Sequence, residues 1–268
     1  MDHKTRDILF ILVIILIATG LLVWYLLARS KAPLTQSPVG TSTPVTTQAV
    51  PPAPALHMTD SGQYYDADLE YPSATPLTIS AGAAANAAAV ALMKAYATTA
   101  IATFKKNSDI ADITPQVAED QGLGGGNKYE LSSTYKLYTS PVTISYVYTF
   151  YEDTLGAHPN ANFQTFTFNS KNGSLLQISD LFKPGSSYLD TLSKLARAAL
   201  TEQQGTSADA SFIDPGTTPD AANFQAFALD DSDLVIYFSP YQVAPYALGP
   251  QTVRIPLDQL SSILNPDY

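Results

Sequence analysis

The sequence has no cysteine among its 268 residues. No disulfide framework, thiolate nucleophile or thiol-linked lipid anchor is therefore available, and the core alone must hold the fold. Histidine is nearly as scarce. His3, His57 and His158 are too scattered for a zinc site built on clustered imidazoles. Basic residues are few, 14 Lys and Arg against 24 Asp and Glu, for a formal net charge of −10. Residues 1–31 carry four basic and two acidic residues, and the rest of the chain is at −12. So acidic a surface repels nucleic acid and anionic lipid, and no nucleic-acid partner is expected. No G-x-S-x-G nucleophile turn occurs. The glycine-rich run from Gly122 to Lys128 has Asn127 and Tyr129 where a phosphate loop needs Gly and Ser or Thr. It reads as a flexible loop. Asp66, Asp68 and Glu70 alternate without the turn and glycine of a calcium loop, and read as one solvated strand face. No catalytic constellation, cofactor or metal site emerges.

One long apolar run is present. Ile8 to Leu27 is twenty residues without a charge, which as a helix spans about 30 Å, the hydrocarbon thickness of a bilayer. Ala28-Arg29-Ser30-Lys31 follows it with no small-residue cleavage signal, so the run reads as an uncleaved signal anchor. Trp24 and Tyr25 near one end suit the interface. Lys4 and Arg6 on one side balance Arg29 and Lys31 on the other. The short head therefore sets the orientation: residues 1–7 inside, the bulk of the chain outside. Ser30 to Leu56 contains six Pro and five Thr and reads as an extended, unstructured stalk or tether.

The remainder alternates between strand and helix periodicities, with 16 Tyr and 11 Phe to build a core. Strands are expected over 63–71, 129–138, 142–151, 163–169, 175–178 after an Asn172-Gly173 hairpin turn, 224–229, 234–238 and 251–255. Helices are expected over 80–106, N-capped by Ser80, over 187–204, with a capping box from Ser187 to Asp190, and over 257–264. Asn107 to Asn127 and Gly205 to Ala222 read as irregular. The long helix could also be a second membrane span, but Asn86, Lys94 and its weakly apolar alanines argue for a core helix. Helices gathered between antiparallel runs imply an α+β fold.

Three stretches occur together: Tyr71-Pro72 after the first strand; Gly156-Ala157-His158-Pro159 followed by a Phe-rich strand and Gln177-Ile178-Ser179-Asp180-Leu181-Phe182; and the loop Phe238 to Pro250, which holds Pro240-Tyr241 and Pro245-Tyr246. This set resembles the RsiV/PdaC-like extracytoplasmic family over roughly residues 62–264. The resemblance implies antiparallel sheets with packed helices in a two-part ectodomain: an anchor at 8–27, a disordered linker at 28–61, a PdaC-like domain at 62–155 and an RsiV-like domain at 156–268. In that family RsiV-type members are membrane anti-sigma factors whose outer domain binds lysozyme, and PdaC-type members join the module to a peptidoglycan deacetylase. The seven-residue head is too short to capture a sigma factor, and the deacetylase metal motifs do not occur in this sequence.

The expected function is thus a bacterial membrane protein with an outer, non-enzymatic module for a glycan such as peptidoglycan or for a lysozyme-like protein. The alternative is an envelope hydrolase using carboxylates around His158. A third reading is a purely structural surface protein. The candidate ligand-binding residues are His158, Tyr241 and Tyr246. Exposed tyrosines stack on sugars or meet a protein, whereas the same loop can simply pack on the core. His158 either acts as a base or fixes its turn by a hydrogen bond.

Overall fold

The structure, a computed structural model, describes residues 53–268. The apolar run at 8–27, the head before it and most of the expected linker lie outside the described residues. Among the described residues, eight strands make two sheets. Strands β1 (Ala55–Ser61), β2 (Tyr65–Pro72), β3 (Tyr129–Thr139), β4 (Thr143–Asp153) and β5 (Asn160–Asn169) form the first, in that order. Strands β6 (Phe227–Leu229), β7 (Asp233–Phe238) and β8 (Gln251–Pro256) form the second. The helices are α1 (Leu77–Ser80), α2 (Ala83–Asn107), α3 (Pro115–Asp120), α4 (Tyr188–Gln204) and α5 (Ala210–Gly216). The fold is mixed α+β, rich in antiparallel pairs.

The layers follow from strand alternation. On β4, Ile144, Tyr146 and Tyr148 point to one face and pack with Ala89 and Met93 of α2. Farther along the same helix, Ala97, Ile101 and Phe104 pack with Tyr65, Ala67 and Leu69 of β2. The other face of β4 presents Val147 to Ala228, Val235 and Tyr237 of the second sheet. On β7 the alternate residues Leu234, Ile236 and Phe238 join Leu192, Ala196 and Leu200 of α4 in the third interior layer. The order is helix, sheet, sheet, helix. Hydroxyls sew the sheets together where their strands cross. Thr165 Oγ1 accepts from the Phe227 N–H at 3.0 Å, and Thr167 Oγ1 donates to the Phe227 carbonyl at 3.0 Å. An edge strand as short as β6 has its backbone satisfied this way instead of lying open.

Several expectations change. The expected linker through residue 61 contains β1, which pairs antiparallel with β2 from Ala55 opposite Pro72 to Ser61 opposite Asp66. Composition concealed it because backbone pairing holds it, with Met58 its one residue packed against a core. The sheet is not wholly antiparallel: β2 and β3 pair in parallel, Tyr65 with Tyr129 through Leu69 with Ser133. The long α2 carries the chain back to the same end, as parallel pairing requires. Residues 155 and 156 lie between β4 and β5, two paired strands of one sheet. Gly82, with φ 89°, occupies the N-cap of α2, and the Ser187 side chain makes no cap bond. The regions expected to be irregular hold α3, capped by Thr114 with Pro115 at its start, and α5, capped by Asp209. Among the described residues α2 alone is long and apolar enough to cross a membrane. Its buried residues face the sheet, so it serves as a core helix.

The turn from β6 to β7 carries a charge cluster. Arg254 on β8 bonds to Asp233 through Nη2 at 2.9 Å and through Nε at 3.1 Å, and also to Asp230. Burial raises the Asp230 pKa, but the N–H groups of Ser232 and Asp233 and the Arg254 guanidinium outweigh it, so Asp230 titrates below its ordinary value. A carboxyl depressed in the folded state stabilises above its unfolded pKa and loses that stabilisation as pH falls through the folded value. Thermal stability is therefore expected to drop from pH 5 to pH 3. In Asp230→Asn this part of the pH dependence disappears; melting curves with the same slope in both proteins would refute it.

Candidate functional site

The site is built from two connections. The first joins β4 to β5. Glu152 pairs with Asn160 across the hairpin, and the turn between them is closed by Asp153, whose Oδ1 accepts the Leu155 N–H at 2.8 Å. Leu155 adopts φ 55°, a left-handed conformation uncommon for a leucine. His158 and Pro159 lead into β5. The second connection joins β7 to β8. Val243 and Ala244 are buried in it and anchor it. Gln242 Nε2 donates to the Asn223 carbonyl at 3.1 Å. Tyr241 takes φ 69° and projects outward, 52% exposed. Pro245 begins a single 3-10 turn that carries Tyr246.

The three residues singled out from sequence meet, although 83 to 88 positions separate His158 from its two tyrosine partners. The His158 and Tyr246 rings stack, with centroids 3.6 Å apart and planes at 16°. Tyr246 Oη donates to the Pro159 carbonyl at 2.7 Å. His158 Nδ1 lies 3.0 Å from that same carbonyl, and Nε2 lies 2.9 Å from Tyr241 Oη. A carbonyl only accepts, so Nδ1 carries a proton, and Nε2 shares the second bond with the Tyr241 hydroxyl. Tyr241 and Tyr246 have centroids 5.7 Å apart. Both ring nitrogens are thus engaged in holding the turn, and the result is an aromatic ledge of three linked rings.

Sequence reasoning missed the rim. The exposed large apolar side chains of the described residues include Tyr151, Leu155 and Leu248 beside Tyr241. All of these lie at the end of β4, in its turn, or in the β7–β8 loop. Glu130 is directly opposite Asp153 in the β3–β4 ladder, and Tyr151 Oη lies 3.5 Å from Asp153 Oδ2. Desolvation, then the charges of Asp153 and Glu130, push the Tyr151 phenol up. Burial pushes the Glu152 carboxyl up as well, but alternation along the strand sets it on the opposite face from Tyr151. No signal in β4 alone marks the rim, because a strand tyrosine reads equally as core.

For chemistry the arrangement offers little. Among the described residues no group of three or more His, Asp and Glu is placed to hold a metal. His158 has no hydrogen bond to a carboxylate or to a serine or threonine hydroxyl there. The surface depression along α4, lined by Asp190, Lys194, Arg197 and Glu202, and the one beside Glu70, Lys136 and Tyr138 include none of the three ledge residues.

Comparison with known proteins places the chain. Residues 179–258 match the model of a family described as a protein of unknown function, DUF3298. The match takes in α4, the second sheet, Tyr241 and Tyr246. The chain is 33% identical over 140 residues to the peptidoglycan-N-acetylmuramic acid deacetylase PdaC of Bacillus subtilis, across 52% of this chain and 30% of that protein. It is 30% identical over 132 residues to an esterase of Mycobacterium tuberculosis, across 48% of this chain and 57% of that protein. The chain thus spans less than two thirds of either relative. A crystal structure of a DUF3298 family member from Bacteroides fragilis shares the fold, with TM-score 0.56 at 17% identity over 80% of this chain and 93% of that one. Residues 179–258 are thus similar to the DUF3298 family, and the chain resembles PdaC, as its three motifs implied.

Proposed function

We propose that this protein is a membrane-anchored, extracytoplasmic module of the bacterial cell envelope that binds a glycan on the His158, Tyr241 and Tyr246 ledge. The observation that carries the reading is the ledge itself. Its rings are pre-ordered by hydrogen bonds and stacking, stand on two anchored loops, and leave Tyr241 exposed. Flat aromatic surface with polar tips suits the apolar faces and hydroxyls of sugar rings. The likeness to PdaC, whose name is that of a peptidoglycan deacetylase, supports an envelope setting. The uncharged run from Ile8 to Leu27 supplies the anchor in this reading. Full-length protein should then stay in the membrane pellet after an alkaline carbonate wash; release into the supernatant would remove the anchor.

Tyr241→Ala is expected to weaken binding to soluble peptidoglycan fragments by about tenfold or more, a loss of roughly 1.4 kcal/mol, with the melting temperature unchanged. Calorimetric titration checks it. If wild type binds no fragment but binds a lysozyme, the ledge is a protein-recognition surface and the glycan reading fails. A second reading, ester or glycan hydrolysis, is favoured by the likeness to the mycobacterial esterase. The same samples assayed against p-nitrophenyl acetate and labelled peptidoglycan decide it: turnover that is lost in His158→Asn would establish an enzyme.

A further inference from the structure

The two connections that build the ledge also hold most of the strained backbone. Three non-glycine residues among the described ones have positive φ: Asp109 at 49°, Leu155 at 55° and Tyr241 at 69°. Aspartate visits this region because its short side chain bonds locally, whereas leucine and tyrosine are uncommon there. Leu155 and Tyr241 are also two of the five large apolar side chains left exposed among the described residues. Tyr151 and Leu248 are two more, and the fifth, Leu56, lies on β1. Backbone strain and apolar exposure therefore coincide on one side chain in each connection.

At Leu155 the fold itself does not offset these two costs. The bond that closes its turn runs from its backbone N–H to Asp153 Oδ1, and a glycine would keep it. Gly156 stands next in the chain, yet the left-handed angle falls on Leu155 and not on the glycine. The Leu155 side chain joins none of the four hydrophobic clusters. His158 follows three residues later, so at most about 11 Å of chain separates their Cα atoms. Leu248 stands on the 3-10 turn that carries Tyr246, so each connection sets an exposed leucine beside a ledge ring. Strain of this kind gathers where a bound group, not the fold, is served.

We infer that Leu155 is a contact residue of the ligand site, held in its strained turn so that it meets a short acyl substituent of a sugar whose ring lies on His158, Tyr241 and Tyr246. This inference rests on the glycan reading and narrows it to acylated sugars. The C–H face of any sugar suits the aromatic rings, but the rim of an unsubstituted sugar bears hydroxyls and gives a leucine nothing to cover. An acyl methyl does, and its burial is favourable.

Calorimetric titration with chitotetraose and cellotetraose tests it, because the two tetramers share one linkage and differ by an acetamido group or a hydroxyl on each ring. Wild type is expected to bind chitotetraose about fivefold more tightly, the effect of roughly one methyl group withdrawn from water. Leu155→Gly should cut that preference below about twofold, while its melting temperature stays level with wild type or rises as the left-handed angle is relieved. Leu155→Ala should lose the preference too but melt below Leu155→Gly, since alanine keeps the strain. Asp109→Gly makes the same exchange at the left-handed position outside the ledge and should keep the preference. Equal affinity of wild type for the two tetramers, or a preference that survives in Leu155→Gly, overturns the inference and leaves the glycan reading standing. So does loss of the preference in Asp109→Gly. A Leu155→Gly melting temperature more than about 3 °C below wild type, or below that of Leu155→Ala, overturns it as well, because Leu155 would then serve the fold. Binding of neither tetramer removes both readings.

Discussion

Gly216→Ala is expected to cost about 3 kcal/mol of stability and to lower the melting temperature by roughly 6–12 °C for a unit of this size. Gly216 closes α5 against the β7–β8 loop. A Cβ there would lie 1.9 Å from the Gln242 carbonyl oxygen, 2.7 Å from its carbon and 2.8 Å from Val243 Cγ1. The obstacle is backbone, so no rotamer change relieves it, and the loop that carries Tyr241 and Tyr246 must shift. Glycan binding should therefore weaken together with stability. Gly156→Ala is the control. Gly156 has no atom within 4 Å of a built Cβ, and the substitution should stay within about 0.5 kcal/mol of wild type. Urea denaturation of the three proteins checks both, and equal midpoints would show that α5 and the loop have room to part.

Phe104→Ala is expected to cost about 3–5 kcal/mol, the usual toll for deleting a buried aromatic ring. Phe104 is 1% exposed near the end of α2, with its ring edge-on to Tyr65 at 6.4 Å. Tyr65 in turn supports β1, because its hydroxyl donates to Asp60 at 2.9 Å and the same carboxylate takes Lys105 Nζ at 2.8 Å. Deleting the ring opens a cavity under β2 and frees the Tyr65 side chain. Amide exchange in β1 and β2 should accelerate more than in β7 and β8, and the urea midpoint should fall. A loss below about 1 kcal/mol would mean that the α2 contact with β2 matters little to the fold.

Legibility from sequence differed by type of element. The β4 strand is plain because Ile144, Tyr146, Tyr148 and Phe150 recur at every second position, although packing on both faces buries Thr143 through Tyr148 without alternation. Helix α4 was plain for the same reason at a period of 3.6. Helix α3 carries a start signal inside a stretch whose composition otherwise reads as irregular. Thr114-Pro115 is a start signal, and its hydroxyl does accept the Val117 N–H at 3.2 Å. Strand β1 was not readable, because its residues are mostly exposed and their only pattern is the backbone they offer to β2. The ring types at the ledge were identified from two Pro-flanked motifs, but nothing in either motif indicated the other.

The order of residues thus determined the local periodicities, the acidic character, the lack of thiol chemistry and which aromatic side chains sit in rigid turns. These are properties of short windows, fixed by spacing, side-chain chemistry and the angles that proline permits. Only the tertiary structure decided that β2 runs parallel to β3, that the two sheets lie face to face, and that His158 stacks on Tyr246 while bonding to Tyr241. Each of those depends on chain closure over tens of residues. There the free energy is set by how whole faces fit, and a single window of sequence holds one half of the contact.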